Sequence, residues 1–172
     1  IPKTAHTYKN KKVTKRATTS KNGTFTAVCS VCGAEQTEVI YAAKTIKLSK
    51  TSMTYNGKKQ KPSVTITDAA GKRLKNGTDY KVTYPKKTQN VGKYTVTVTL
   101  KGNYTGTVKK TFTILPKNTA ISKLTASKNT VTVKWKKQTK QTAGYEIQYS
   151  TSSKFTKKTT KTVKAAKNSM TS

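Results

Sequence analysis

The stretch "YTVTVTL" at residues 94–100 is the part of the sequence that decides the fold. Its four apolar residues alternate strictly with three threonines. Alternation with a period of two is the pattern of a β-strand that packs one face against a core and exposes the other. After the turn "KGN", the stretch "YTGTVKKTFTI" at 104–114 places Val108, Phe112 and Ile114 on one face. The two stretches therefore predict an antiparallel pair of strands.

The same alternation recurs on both sides of this pair. It is present in "VTIT" (64–67), "YKVTY" (80–84), "VTVKW" (131–135) and "YEIQYS" (145–150). Asn-Gly pairs at 22–23, 56–57 and 76–77 predict hairpin turns, because both residues tolerate positive φ. Helix-period stripes of Leu and Ala are missing from the sequence. Short alternating strands with frequent turns predict an all-β chain built from antiparallel sandwiches.

Length and composition indicate several small modules. The chain has 172 residues, which corresponds to one ordinary domain or two to three small ones. Hydrophobic residues make up 32%, whereas an average globular chain has about 45–50%. Several thin cores are therefore expected in place of one large core. The sequence begins with Ile1-Pro2 and has no apolar run of 18 residues, so we expect no transmembrane helix, no signal peptide, and a piece of a longer chain.

The charge is strongly unbalanced toward lysine. There are 36 basic and five acidic residues, giving a formal charge of +31, and only Arg16 and Arg73 are arginines. Lysine is a compact hydrated point charge, whereas proteins that recognise a nucleotide sequence rely on arginine to contact guanine. The composition predicts a solvated surface or a loose attraction to polyanions. It favours neither recognition of specific nucleic acids nor insertion into a membrane.

Residues 53–114 resemble the bacterial immunoglobulin-like repeats of Gram-positive surface and secreted proteins. The similarity rests on "YNG", "GTDY", "NVGKYTVTV" and "GNYTGT" at fixed spacings. It implies that residues 44–116 form an immunoglobulin-like β-sandwich that serves as a spacer or adhesive stalk. In such a surface protein, we expect the lysine coat to be attracted to anionic cell-wall polymers or a host surface.

Residues 121–165 resemble the first half of a fibronectin type III domain, which implies a truncated module of this type at residues 117–172. The similarity rests on "ISKLTASKNTVTVKWKK", with Trp135 as the core tryptophan, and on "GYEIQYSTSSKF". Nothing that follows matches the second half of such a domain. An incomplete sandwich has open strand edges and uncovered apolar faces, so we expect this segment to be poorly stable alone or to self-associate.

The first 43 residues contain Cys29 and Cys32, the only cysteines in the chain, in a C-x-x-C-G turn. Such a turn supplies two of the four ligands that structural zinc requires. Residues 6–40 resemble a small β-module with a His…C-x-x-C-G pattern in the same class of surface proteins, which implies a zinc site. His6, Cys29 and Cys32 match that pattern, but Thr19 stands where it has its first cysteine.

Three states of the cysteines remain open on the sequence alone. The first is a bound zinc ion whose fourth ligand is water or an acid such as Glu35. The second is a degenerate module with free thiols. The third is a Cys29–Cys32 disulfide, which the oxidising conditions outside the cell would permit.

Candidates for catalysis are few. The chain has a single histidine, and the pair of acids considered for catalysis within the central predicted module is Asp68 and Asp79. Both lie in turn-like contexts, where aspartate commonly accepts backbone N–H groups. We therefore expect a non-catalytic extracellular array of β-modules, a stalk or spacer, in a larger bacterial surface or secreted protein. The alternatives are a polyanion- or nucleic-acid-binding protein and an accessory, non-catalytic region of a secreted hydrolase.

Overall fold

The computed structural model describes residues 6–167 and 172, and its regular elements are all β-strands. The strands are β1 (Tyr8–Lys15), β2 (Gly23–Cys29), β3 (Glu35–Ile40), β4 (Thr45–Leu48), β5 (Ser52–Thr54), β6 (Val64–Thr67), β7 (Tyr80–Thr83), β8 (Gly92–Leu100), β9 (Thr107–Leu115), β10 (Ile121–Ser127), β11 (Thr130–Trp135), β12 (Tyr145–Ser150) and β13 (Thr160–Ala165). The predicted all-β architecture of tandem modules is confirmed. The described residues include no helix with the length and apolarity needed to cross a bilayer.

Strands β1, β2 and β3 form a three-stranded antiparallel sheet, which we call the N-terminal ribbon. Its strands are mostly exposed, and its own core is thin. Gly23, at the start of β2, is needed for close packing: a Cβ atom there would lie 2.3 Å from the carbonyl oxygen of Lys15. The predicted positive φ at Gly23 is absent, and the turn that precedes it instead uses a bond from the Thr18 N–H to the Lys21 carbonyl.

Strands β4 to β9 form the central domain, in which β4 pairs with β6 while a second sheet has the order β5-β9-β8-β7. The alternation that predicted these strands also predicted their buried faces. Val96 and Val98 of β8 and Phe112 and Ile114 of β9 are at most 1% exposed, and the intervening threonines are more exposed. Tyr94 stacks on Phe112 with 5.4 Å between ring centroids. The central domain therefore has a compact core of β-branched and aromatic side chains.

The chain divides into two compact units. The first contains the N-terminal ribbon and the central domain up to Thr113, except residues 54–58 and 89–92. The second contains those two short stretches and the chain from Ile114 onward. The ribbon and most of the central domain thus belong to the first unit, whereas Ile114 and Leu115 at the end of β9 belong to the second.

Backbone hydrogen bonds join the ribbon to the central domain. Ala17 forms a parallel bridge with Tyr104. Its N–H donates to the carbonyl of Asn103 at 3.0 Å, and its carbonyl accepts the N–H of Thr105 at 2.8 Å. A second link runs from the N–H of Ala69 to the carbonyl of Ala42 at 2.9 Å. Small side chains allow this close approach of backbones, and Ala17 is completely buried. We call this contact the junction.

The second unit carries two hairpins, β10-β11 and β12-β13. Trp135 is buried and lies 5.3 Å from the ring of Tyr145, between centroids. Around them, large apolar side chains remain more than half exposed. These are Ile121, Leu124, Val131, Tyr149, Phe155 and Val163. The expectation of uncovered apolar faces in this segment therefore agrees with the exposure of its side chains.

Candidate metal centre

Strand register brings the only histidine to the only cysteines. Tyr8 pairs with Cys29 at one end of the β1-β2 hairpin. His6 lies two residues before Tyr8, and the N–H of Ser30 donates to the carbonyl of Thr7 at 3.0 Å, which extends the pairing toward it. His6 and Cys29 are more than twenty positions apart in sequence. The pairing of β1 with β2 therefore brings them together.

The C-x-x-C-G segment forms a tight turn between β2 and β3. The N–H of Cys29 donates to the carbonyl of Ala34 at 2.8 Å, and the N–H of Gly33 donates to the carbonyl of Cys29 at 3.1 Å. Gly33 has a φ of 74°, a left-handed conformation that glycine adopts without the steric cost of a Cβ atom. The turn thus fixes both cysteines on one short loop.

Cys29 is buried at the end of β2. The backbone N–H groups of Cys32 and Val31, followed by the side chain of His6, lower the pKa of Cys29 from 9.0 to about 6, against an opposing effect of burial. Hydrogen bonds that favour the charged form are the physical cause. At neutral pH Cys29 is therefore mainly a thiolate, the form that binds metals.

The three donor atoms lie close together at one end of the ribbon. Nδ1 of His6 lies 3.2 Å from Sγ of Cys32, and the ligand atoms of His6, Cys29 and Cys32 all lie within 4.8 Å of one another. Donor atoms around a tetrahedral zinc ion are about 3.5–3.8 Å apart, from bond lengths of about 2.0–2.3 Å. Small side-chain rotations would satisfy that spacing, so the cluster can hold a metal ion. Both cysteines are free thiols in this structure.

Thr19 lies too far away to replace the missing ligand. It follows the end of β1, where Lys15 pairs with Thr24, whereas Cys29 pairs with Tyr8 at the opposite end of the hairpin. Five residue steps along β2 separate these ends, which is about 16 Å at about 3.3 Å per residue. The register therefore places residue 19 near the end of the hairpin opposite Cys29, away from the cluster.

The ring of Tyr8 is a supporting contact that the sequence pattern did not indicate. Its centroid lies 5.6 Å from that of the His6 imidazole. Tyr8 is in β1 and half-buried, so it can restrict the orientation of His6. No spacing rule links this tyrosine to the C-x-x-C-G turn, and only the strand register reveals the contact.

Asp68 and Asp79 serve local turns. A carboxylate oxygen of Asp68 accepts the N–H groups of Ala70 at 3.0 Å and Lys72 at 2.9 Å. A carboxylate oxygen of Asp79 accepts the N–H of Lys75 at 2.7 Å. These contacts are those expected from the turn-like sequence contexts of both residues.

Comparison with protein families gives one match. The family model of the MBG domain matches residues 44–118, less than half of the chain. This segment is therefore similar to a bacterial-type β domain, in agreement with its all-β structure. The ribbon that contains His6, Cys29 and Cys32 lies outside the match. Searches of curated proteins and of solved structures find no match.

Proposed function

We propose that this chain is a non-catalytic structural segment, a stalk or spacer, of a larger extracellular bacterial surface or secreted protein. Three observations support the proposal: the all-β architecture, the MBG-domain similarity of residues 44–118, and the junction between ribbon and central domain.

The junction is the main structural support for a spacer role. A spacer has to hold its ends at a fixed separation, and a flexible linker between modules would not do so. Here the backbone of Ala17 is hydrogen-bonded on both sides to the segment 103–105, so the ribbon continues the hydrogen-bonding of the central domain. Rotation about this connection would break the hydrogen bonds of the buried Ala17 backbone, which is costly. The first unit is therefore suited to transmit position and force.

The lysine coat supplies the proposed partner, an anionic cell-wall polymer. Among the residues that the structure describes, two ion pairs are formed, Lys11–Glu38 and Lys164–Glu146. With 36 basic residues and five acidic ones, most cations have no carboxylate to neutralise them. They attract a polyanion through many weak contacts and release its counterions.

Salt should weaken this binding steeply. The expected result is a fall in affinity for polyglycerol phosphate of about 100-fold or more between 50 and 500 mM salt, since each neutralised phosphate adds to the slope. Isothermal titration at several salt concentrations measures it. Lys128→Gln, a change at one exposed lysine of the β10-β11 turn, should alter affinity less than about twofold. Binding that is insensitive to salt, or no binding at 50 mM, would contradict the proposal.

Nucleic-acid binding is the second candidate, and the same lysines favour it. Competition distinguishes the two: duplex DNA and polyglycerol phosphate of equal charge should compete similarly if only charge is recognised. A DNA that displaces the polymer at far lower charge concentration, or whose affinity depends on its sequence, would favour nucleic acid as the natural ligand.

We further propose that His6, Cys29 and Cys32 hold a zinc ion. Two thiolates and an imidazole are the donors that zinc prefers. Such an ion would tie the segment before β1 to the turn between β2 and β3, and so close the exposed end of the ribbon. This role is structural, which is consistent with the thin core of the ribbon.

A further inference from the structure

We propose that a cleft in the central domain binds an anionic saccharide, a sugar that carries a carboxylate or phosphate group. The cleft has a volume of about 810 Å³ and lies between the start of β6 and strand β7. We call it the β6-β7 cleft. The inference rests on the proposed partner, an anionic cell-wall polymer, and adds to it a defined binding place and a class of repeating unit.

The floor of the β6-β7 cleft is apolar and aromatic. Tyr80, Val82 and Tyr84 alternate along β7 and just after it, so their side chains share one face. Val64 and Leu74 are buried and complete the floor. Ligand sites of about 300–1,000 Å³ are typically lined in this way, with a few polar groups that orient the ligand. The floor therefore suits an occupant with an apolar surface.

Two hydrogen bonds hold the tyrosine rings in place. The hydroxyl of Tyr80 donates to the carbonyl of Val64 at 3.2 Å, and the hydroxyl of Tyr84 donates to the carbonyl of Pro62. Both bonds reach the beginning of β6, so they connect the two sides of the cleft. A site that is already ordered loses less conformational freedom when a ligand binds.

The rim of the cleft is positively charged. Arg73 and Lys75 line it and are exposed, and none of the described residues that line it is acidic. Neither cation belongs to the two ion pairs of the described residues. The carboxylate of Asp79, the residue before Tyr80, accepts the N–H of Lys75 at 2.7 Å and does not line the cleft. An anion bound here would therefore meet cations without a competing carboxylate.

Arg73 distinguishes this rim from the general lysine coat. It is one of only two arginines in the sequence. A guanidinium donates two parallel hydrogen bonds to the oxygens of one carboxylate or phosphate, whereas an ammonium group acts as a point charge. Lys61 adds a cation nearby, with its Nζ 5.4 Å from the ring centroid of Tyr84. The arrangement suits one anionic group held in a fixed orientation.

An anionic saccharide matches the whole lining of the cleft. An inorganic anion would use the cations and leave the apolar floor unfilled, whereas a neutral apolar molecule would cover the floor and leave the cations unpaired. The exposed side chains of Ser63 and Asn76 also line the cleft, and they offer hydrogen bonds to sugar hydroxyls. The C–H groups of a sugar ring would contact the floor beside Tyr84, while its anionic group would meet Arg73.

Neutral substitutions at the rim test the site in the 172-residue chain. Arg73→Gln combined with Lys75→Gln should lower the affinity for oligogalacturonate, a carboxylated saccharide, about 10-fold or more, because charge-assisted hydrogen bonds are lost. The matched control combines Lys109→Gln with Lys128→Gln, which removes the same charge at exposed positions outside the cleft. It should lower the affinity less than about threefold, as expected for general attraction. Isothermal titration at about 50 mM salt measures both variants.

Chemical-shift mapping by NMR tests the site in the unmodified chain. Oligogalacturonate should shift the amide signals of Val64, Leu74 and Val82 more than those of the β10-β11 hairpin. Polyglycerol phosphate of equal charge, which has no sugar ring, should shift the same three signals far less. Equal shifts with both polymers would contradict saccharide recognition, and shifts confined to other residues would contradict the cleft as the site.

The outcomes separate this inference from the proposed function. Equal losses of oligogalacturonate affinity in the two double variants, with salt-dependent binding of polyglycerol phosphate retained, would contradict the cleft alone. Absence of binding for both polymers at about 50 mM salt would overturn the proposed partner itself. Binding of oligogalacturonate that depends on Arg73 and Lys75, without binding of polyglycerol phosphate, would support the cleft and contradict the lysine coat as the binding surface.

Discussion

Replacement of Ala17 by aspartate is expected to destabilise the first unit by about 3–5 kcal/mol, the cost of an uncompensated buried charge. Ala17 is completely buried, and both of its backbone groups are bonded to the segment 103–105. A carboxylate buried at this position would lose its hydration. The unit can relieve this cost only if the ribbon separates from the central domain. Urea unfolding followed by tyrosine fluorescence and far-UV circular dichroism measures the loss.

Thr19→Asp is the matched control for this change. It introduces the same charge two residues later, at an exposed position, and should change the free energy of unfolding by less than about 0.5 kcal/mol. Equal stability of the Ala17→Asp variant and the control would mean that the junction contributes nothing, and the spacer proposal would lose its main support.

Cys29→Ser should lower zinc affinity by at least roughly 100-fold. Removal of a group that merely orients a ligand typically lowers metal affinity about 10–100-fold, and here a thiolate ligand itself is lost. Competition with a chromophoric chelator measures the affinity. Zinc should also raise the thermal midpoint of the unmodified chain, because ions that bind only the folded state stabilise it, and this rise should vanish in the variant.

Cys32→Ser tests whether the effect comes from the ligand or from packing. It removes the same kind of ligand from an exposed position, so it should weaken zinc binding as much as Cys29→Ser does. It should destabilise the metal-free chain less, because Cys29 is buried and Cys32 is exposed. Zinc affinity that survives either substitution would show that the ion is bound elsewhere.

Local patterns in the sequence were sufficient to predict the strands and their faces. Alternation in residues 94–100 predicted the burial of Val96 and Val98, because the period of side-chain direction in a strand is two. The three Asn-Gly pairs predicted the backbone conformation of their glycines less well. Gly57 and Gly77 have positive φ, whereas Gly23 is required for packing against Lys15. A dipeptide preference cannot distinguish a turn from a close approach of two strands.

Features that depend on contacts distant in sequence could not be predicted. Ala17 is an unremarkable small residue in a polar segment, and its burial depends on residues 103–105, far along the chain. The cysteine spacing and His6 did identify three residues whose ligand atoms lie within 4.8 Å of one another. The spacing could not show that Thr19 lies at the other end of the hairpin, because strand register decides that distance.

The most direct test of the account is amide hydrogen exchange at the junction in the 172-residue chain. If ribbon and central domain form one cooperative unit, the amides of Ala17 and Thr105 should exchange nearly as slowly as that of Val98 in the core strand β8, since all three would open only with the unit. Exchange at Ala17 and Thr105 as fast as in an exposed loop, with Val98 still protected, would contradict it. The ribbon would then move independently of the central domain.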